Sequence, residues 1–176
     1  LADARRATAE DNHAYLDALI TESLRVRPVV PDITRRLVED VTIGEGDASL
    51  RLPAGTCVDP ALYLIMRSPE HYPDPLAFRP ERFVGQRPDP SVWLPFGGGS
   101  RRCLGAAFAL TEMRVVLAPI LTRVDLRPTD RKGERTLVRH VTLAPKRGAR
   151  VTVEHRRSRD HSSPAVSAAM VASGPD

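Results

Sequence analysis

The stretch Phe96-Gly97-Gly98-Gly99-Ser100-Arg101-Arg102-Cys103-Leu104-Gly105 concentrates four glycines, two arginines and one cysteine just ahead of an apolar run. Three successive glycines let the backbone turn tightly and let a flat ligand approach the main chain without meeting a Cβ. Leu104, Phe108, Met113, Val115, Val116 and Ile120 then recur at about helical spacing, which puts Cys103 at the start of a helix. A helix N-terminus and adjacent cations such as Arg101 and Arg102 both favour a thiolate over a thiol. A thiolate binds metals or attacks electrophiles. Three chemistries therefore compete for this stretch: a small buried cysteine after a glycine loop, a phosphate cradle, and a haem iron held by one axial thiolate. The second is weakened because the loop lacks the Lys-Ser/Thr ending of a nucleotide-binding loop.

Working outward, residues from about Ala14 to Arg25 read as a helix, with Leu16, Ile20 and Leu24 forming an apolar stripe and Asp11 or Asn12 available as a cap. Glu22 and Arg25 lie together on its other side; taken alone they read as a solvated i, i+3 ion pair. Pro28-Val29-Val30-Pro31 ends this helix, since proline cannot donate the next hydrogen bond. Val41 to Ile43 and Leu50 to Leu52 read as a hairpin around Gly44-Glu45-Gly46-Asp47, and Pro53-Ala54-Gly55-Thr56 as a second turn. Pro60 can open a short helix through Met66. Six prolines between Ser68 and Pro90 exclude a long helix or an inner strand there.

Downstream of the glycine loop, a helix is expected from Gly105 toward Leu121, carrying Glu112 on its polar side and ended or kinked by Pro119. Thr136 to Leu143 and Arg150 to Glu154 read as a closing hairpin around Pro145-Lys146-Arg147-Gly148. Residues 1–155 are expected to form one folded portion and residues 156–176 a disordered tail.

The glycine loop resembles, position for position, the haem-binding signature of the cytochrome P450 monooxygenases, Phe-x-x-Gly-x-Arg-x-Cys-x-Gly. Its fixed positions are filled by Phe96, Gly99, Arg101, Cys103 and Gly105. Glu22-Ser23-Leu24-Arg25 resembles the Glu-x-x-Arg of the same family, and Pro80-Glu81-Arg82-Phe83 its Pro-Glu-Arg-Phe element. The resemblance implies a mainly α fold with small β-hairpins, the C-terminal portion of the cytochrome P450 fold. It implies haem b as cofactor, with Cys103 as axial thiolate, Arg101 on a haem propionate, Phe96 packed near the sulfur and Gly105 letting the helix pass close to the porphyrin. Arg35, or its neighbour Arg36, resembles a second propionate-binding arginine. Arg82 would join Glu22 and Arg25 in a buried triad, where one carboxylate accepts from two guanidinium forks and latches distant segments together.

The activity implied is insertion of one atom of dioxygen into a small organic substrate. Electrons would arrive from NAD(P)H through a ferredoxin or flavoprotein, for which Arg101, Arg102 and Arg114 are candidate docking charges. Only 21 residues precede Glu22, and no Ala-Gly-x-x-Thr is present where the family carries an acid-alcohol pair on a long helix. The sequence is therefore expected to be a fragment, inactive alone; a non-catalytic haem-binding remnant is the alternative.

Composition narrows the remaining classes. The 176 residues are 41% hydrophobic, compatible with one globular core, and no run approaches the roughly 20 apolar residues that span a bilayer. A cytoplasmic protein is expected. Its 26 basic residues are offset by 22 acidic ones and scattered, without a basic run interleaved with aromatics, so nucleic acid is not an expected partner. Two cysteines are too few for a disulfide scaffold, and Cys57 reads as a small core residue. The histidines, His13, His71, His140, His155 and His161, show no metal-ligand spacing.

Overall fold

The computed structural model describes residues 13–129 and 133–156. Helix α1 (Ala14–Val26) is the element around which the others pack. Its stripe of Leu16, Ile20 and Leu24, with Ala18, enters a core completed by Tyr72, Phe83, Trp93 and Leu121. The opposite face is not solvated: Glu22 and Arg25 are both 0% exposed. Thus α1 is buried on two sides, one apolar and one ionic. His13 stands at its N-cap without a capping side-chain bond, and the expected caps Asp11 and Asn12 lie outside the described residues.

Among the described residues, the short strands after α1 form four two-stranded antiparallel sheets. Strand β1 (Arg35–Arg36) pairs with β4 (Cys57–Val58), and β2 (Val41–Ile43) forms the expected hairpin with β3 (Leu50–Leu52), Val41 facing Leu52. Gly44 (φ +85°) turns that hairpin; a Cβ there would stand 2.7 Å from the Ala48 carbonyl oxygen. Cys57 departs from expectation: it is exposed, because β4 belongs to a two-residue ladder at the surface and not to the core.

Asp40 ties this region together, accepting from the Ala54 amide at 2.8 Å and from Arg51 Nη2 at 2.6 Å. These bonds, the Ala54 amide first, hold its carboxyl below the ordinary 3.8. A depressed folded value means the unfolded chain takes up protons first as acid is added. The contribution is therefore full above pH 3.8 and lost as pH falls through the folded value. Asp40→Asn should flatten that part of the acid limb in a melting-temperature scan; an unchanged limb would contradict the assignment.

A one-turn helix, α2 (Leu62–Ile65), follows, and the proline-rich segment then wraps α1 irregularly, with a 3-10 turn at Pro80–Phe83 packed against it. Helix α3 (Ala106–Arg123) crosses α1 and buries Ala106 and Leu121. It runs past Pro119 and does not end there. Leu121 in the core holds the last turn, and the Thr122 hydroxyl donates to the Ala118 and Pro119 carbonyls. Along α3, Phe108, Val115 and Val116 remain exposed, an apolar face without cover among the described residues.

The C-terminal strands differ from the expected hairpin. Strand β6 (Thr136–Arg139) pairs with β7 (Thr142–Pro145) around His140 (φ +55°) and Val141. Strand β8 (Val151–Arg156) pairs instead with β5 (Val124–Pro128), directly after α3. The expected turn at Pro145–Gly148 joins two sheets. Beyond Arg156, the expected tail lies outside the described residues, as does His161. The other four histidines are exposed. No helix among the described residues is long and apolar enough to cross a membrane.

Candidate functional site

The glycine loop is built from local geometry first. Gly97 (φ +69°) and Gly99 (φ +63°) occupy the left-handed region that side chains disfavour, and a 3-10 turn spans Gly99–Arg101. The Cys103 amide donates to the Phe96 carbonyl at 2.9 Å and closes the loop; the Ala109 amide donates to Gly105 at 2.9 Å as α3 begins. Cys103 is exposed at that junction. A Cβ on Gly105 would sit 3.8 Å from its sulfur, whereas one on Gly99 would meet nothing within 4 Å. Open space thus faces the loop backbone at Gly99. Leu104, next to Cys103, is exposed, as is Phe108 in the first turn of α3, where its uncovered face begins.

The loop is held from behind by aromatic packing. Phe96 meets Trp93 edge to face, with ring centroids 6.1 Å apart, and the indole Nε1 donates to the Thr21 carbonyl of α1 at 3.1 Å. The turn before Trp93 is fixed by Asp89, which accepts from the Ser91 amide at 2.8 Å and from its hydroxyl at 2.6 Å. Ser91 holds the Asp89 carboxyl below its ordinary value. A second tie joins the helices, Arg114 of α3 to Asp17 of α1. That hydrogen bond raises the Arg114 guanidinium further above its ordinary value.

Glu22, Arg25 and Arg82 meet beneath this loop-bearing core. Arg25 grips Glu22 bidentately, Nε to Oε2 at 2.6 Å and Nη2 to Oε1 at 2.8 Å, and Arg82 Nε lies 3.5 Å from Oε1. The remaining Arg25 donors reach the carbonyls of Met66 (2.8 Å), Pro75 (2.9 Å) and Ala77 (3.2 Å), while the Arg79 amide donates to Glu22 Oε1 at 2.9 Å. One ion pair so fixes the end of α2 at Met66 and three points of the proline-rich wrap. Arg82 Nη2 adds the Asp74 carbonyl at 2.9 Å. The Arg25 guanidinium carbon lies 4.9 Å from the Tyr72 ring centroid, and burial pushes the Tyr72 phenol up.

The structure therefore groups Phe96, Gly99, Arg101, Cys103 and Gly105 in one loop, and Glu22, Arg25 and Arg82 in one buried cluster. Arg35 is elsewhere, exposed on β1 with Nη1 on the adjacent Thr34 carbonyl. Its strand approaches the loop through Ile33, whose Cδ1 lies 4.0 Å from where a Gly97 Cβ would be. Trp93 is the residue that sequence reasoning missed. A single tryptophan three residues before Phe96 was the available signal, since a buried indole N–H needs a partner.

The donor set decides what could bind. Among the described residues no three His, Cys, Asp or Glu side chains cluster for a metal, and Cys103 offers a single exposed thiol at the glycine loop. That suits an iron whose other positions are filled by a flat macrocycle. An exposed sulfur, open space over Gly99, apolar Leu104 and Phe108, and an exposed Arg101 for an acidic substituent fit haem.

Comparison with known proteins supports the same assignment. The family model described as Cytochrome P450 matches residues 3–153. The putative cytochrome P450 135B1 of Mycobacterium tuberculosis is 49% identical over 174 residues, covering 99% of this chain and 36% of that protein. The putative cytochrome P450 135A1 of the same species is 39% identical over 152 residues, covering 86% and 33%. Among solved structures, CYP175A1 from Thermus thermophilus superposes with a TM-score of 0.74 at 38% identity, covering 87% of this chain and 37% of that one. Cyanobacterial CYP120A1, solved with retinoic acid, gives 0.71 at 30% identity, covering 84% and 33%. The chain spans about a third of the length of the relatives it matches.

Proposed function

Because this chain belongs to the cytochrome P450 family, we propose that it supplies the thiolate-bearing part of a haem monooxygenase acting on a small organic substrate. The observation that carries this reading is the exposed Cys103 at the head of α3, its amide bonded to Phe96 and open space over Gly99 beside it. Bound haem supplies the reductive activation of dioxygen and the transfer of one oxygen atom to the substrate.

Every other part of the proposal concerns this chain's own side chains. Cys103 would hold the iron through its sulfur, exposed where the glycine loop leads into the 18-residue helix α3. Arg101 and Arg35, both exposed, would bind the haem carboxylates. Phe96 would pack near the sulfur, and Glu22, Arg25 and Arg82 would hold the wrap that carries the loop. Arg101 and Arg102 are also the cations proposed to meet a ferredoxin or flavoprotein electron donor. Arg114 is less available, being paired with Asp17. A cytoplasmic setting is part of the same proposal.

The uncovered face of α3, with Phe108 74% exposed, leaves the thiolate side open to water in this chain by itself. Haem binding without turnover is therefore the behaviour proposed for the stretch alone. Titration with haemin should saturate at one haem per chain, and Cys103→Ala should abolish the tight phase. Equal uptake by parent and variant would contradict the proposed ligand.

A further inference from the structure

We propose that Trp93 is the positioning residue that sets how Cys103 presents its sulfur, by tying the glycine loop to the backbone of α1 through the indole N–H; this rests on the haem-thiolate reading above. The loop has little stiffness of its own, because Gly97 and Gly99 supply its turns and glycine restricts the backbone least. Its position must come from its neighbours. A continuous path of contacts leads from the helix to the sulfur-bearing residue. The Thr21 carbonyl of α1 accepts from Trp93 Nε1 at 3.1 Å, the Trp93 ring meets Phe96 at 6.1 Å, and the Phe96 carbonyl accepts from the Cys103 amide at 2.9 Å.

The path starts at a rigid point. Thr21 immediately precedes Glu22, whose carboxylate is fixed by Arg25 and by the Arg79 amide, so the carbonyl that holds the indole belongs to the best-anchored turn of α1. Trp93 is 8% exposed, and a buried indole N–H without an acceptor is costly. On its other side the Asp89 turn fixes its backbone, the Trp93 amide donating to the Asp89 carbonyl at 2.8 Å. The alternative tie between α1 and α3, Arg114 to Asp17, is half-exposed on both sides, and such pairs hold weakly. Trp93 is thus the buried link between the helix and the loop.

The test compares the haem-loaded parent protein with Trp93→Phe and with a protein carrying a benzothiophene analogue of tryptophan at position 93. The analogue keeps shape and packing and lacks only the N–H. After reduction and exposure to carbon monoxide, the fraction of bound haem carrying a neutral sulfur should rise about fivefold in both, the ratio that one ordinary hydrogen bond gives. The reduction potential should rise with it. Val92→Ala, in the same half-buried segment, should lower the melting temperature and leave that fraction per bound haem unchanged.

If the parent shows the thiolate band and the benzothiophene protein matches it per bound haem, the positioning role is overturned and the haem-thiolate reading survives. A parent without a thiolate band overturns both. Should Trp93→Phe fail to fold, the isosteric analogue still decides, and the unloaded parent offers a second readout. Its Trp93 indole proton should exchange slowly with solvent; free exchange would show that the bond to Thr21 is not made.

Discussion

Glu22→Ala is expected to unfold this chain or bring it to the edge of unfolding. The substitution leaves Arg25, 0% exposed, without the carboxylate that neutralises it, and strips the Arg79 amide of its acceptor. Breaking a buried pair from one side costs about 3–5 kcal/mol, against a whole-domain stability of about 5–15 kcal/mol. The loss spreads because Arg25 also holds Met66, Pro75 and Ala77 by their carbonyls, so the wrap that leads to the glycine loop loosens with it. Haem uptake should disappear together with the cooperative urea transition. Glu22→Gln, which retains an oxygen for the Arg79 amide, should cost less than the alanine variant. An alanine variant that unfolds at the parent's urea midpoint would show that the cluster does not latch these segments.

The second large effect separates chemistry from stability. Cys103 is exposed and contributes only its amide to the loop closure, so Cys103→Ser should leave the unfolding midpoint within about 0.5 kcal/mol of the parent. Tight haem binding should nevertheless be lost, since a neutral hydroxyl is a poor replacement for an anionic sulfur. Cys57→Ser supplies the matched control: it too is exposed, on β4, and should change neither quantity. A protein that loses stability at Cys103 as steeply as at Glu22 would mean that the cysteine is a packing residue after all.

Much of this arrangement was legible in short-range pattern. The spacing of Leu16, Ile20 and Leu24 marks α1, the glycine cluster at 44–47 marks the β2–β3 hairpin, and Phe96 to Gly105 marks the loop and the head of α3. What escaped was decided by partners far along the chain. By local pattern alone the Glu22–Arg25 pair reads as solvated; the family resemblance puts it in a buried triad with Arg82, and the Met66, Pro75 and Ala77 carbonyls that fold over it are what no local pattern encodes. Strand β8 pairs with β5 because α3 delivers Val124–Pro128 beside it, a contact no local alternation encodes. The β6–β7 turn hides because His140 adopts a positive φ where a glycine or asparagine would have advertised it. Cys57 looks like a core residue by type, yet the strand it sits on is only two residues long and lies at the surface. Pro119 reads as an end or a kink of the helix that runs toward Leu121; α3 continues through it to Arg123, and packing of Leu121 outweighs the one hydrogen bond it removes.

The spectrum of the haem-loaded, reduced, carbon monoxide-treated parent protein tests the central claim most directly, because it reports on the atom opposite the gas ligand. The strongly red-shifted Soret band of an anionic sulfur is predicted for the parent and for Cys57→Ser, and its disappearance for Cys103→His. A parent spectrum of the imidazole-ligated type, or a thiolate band that survives at Cys103→His, would contradict the assignment of Cys103 to the iron.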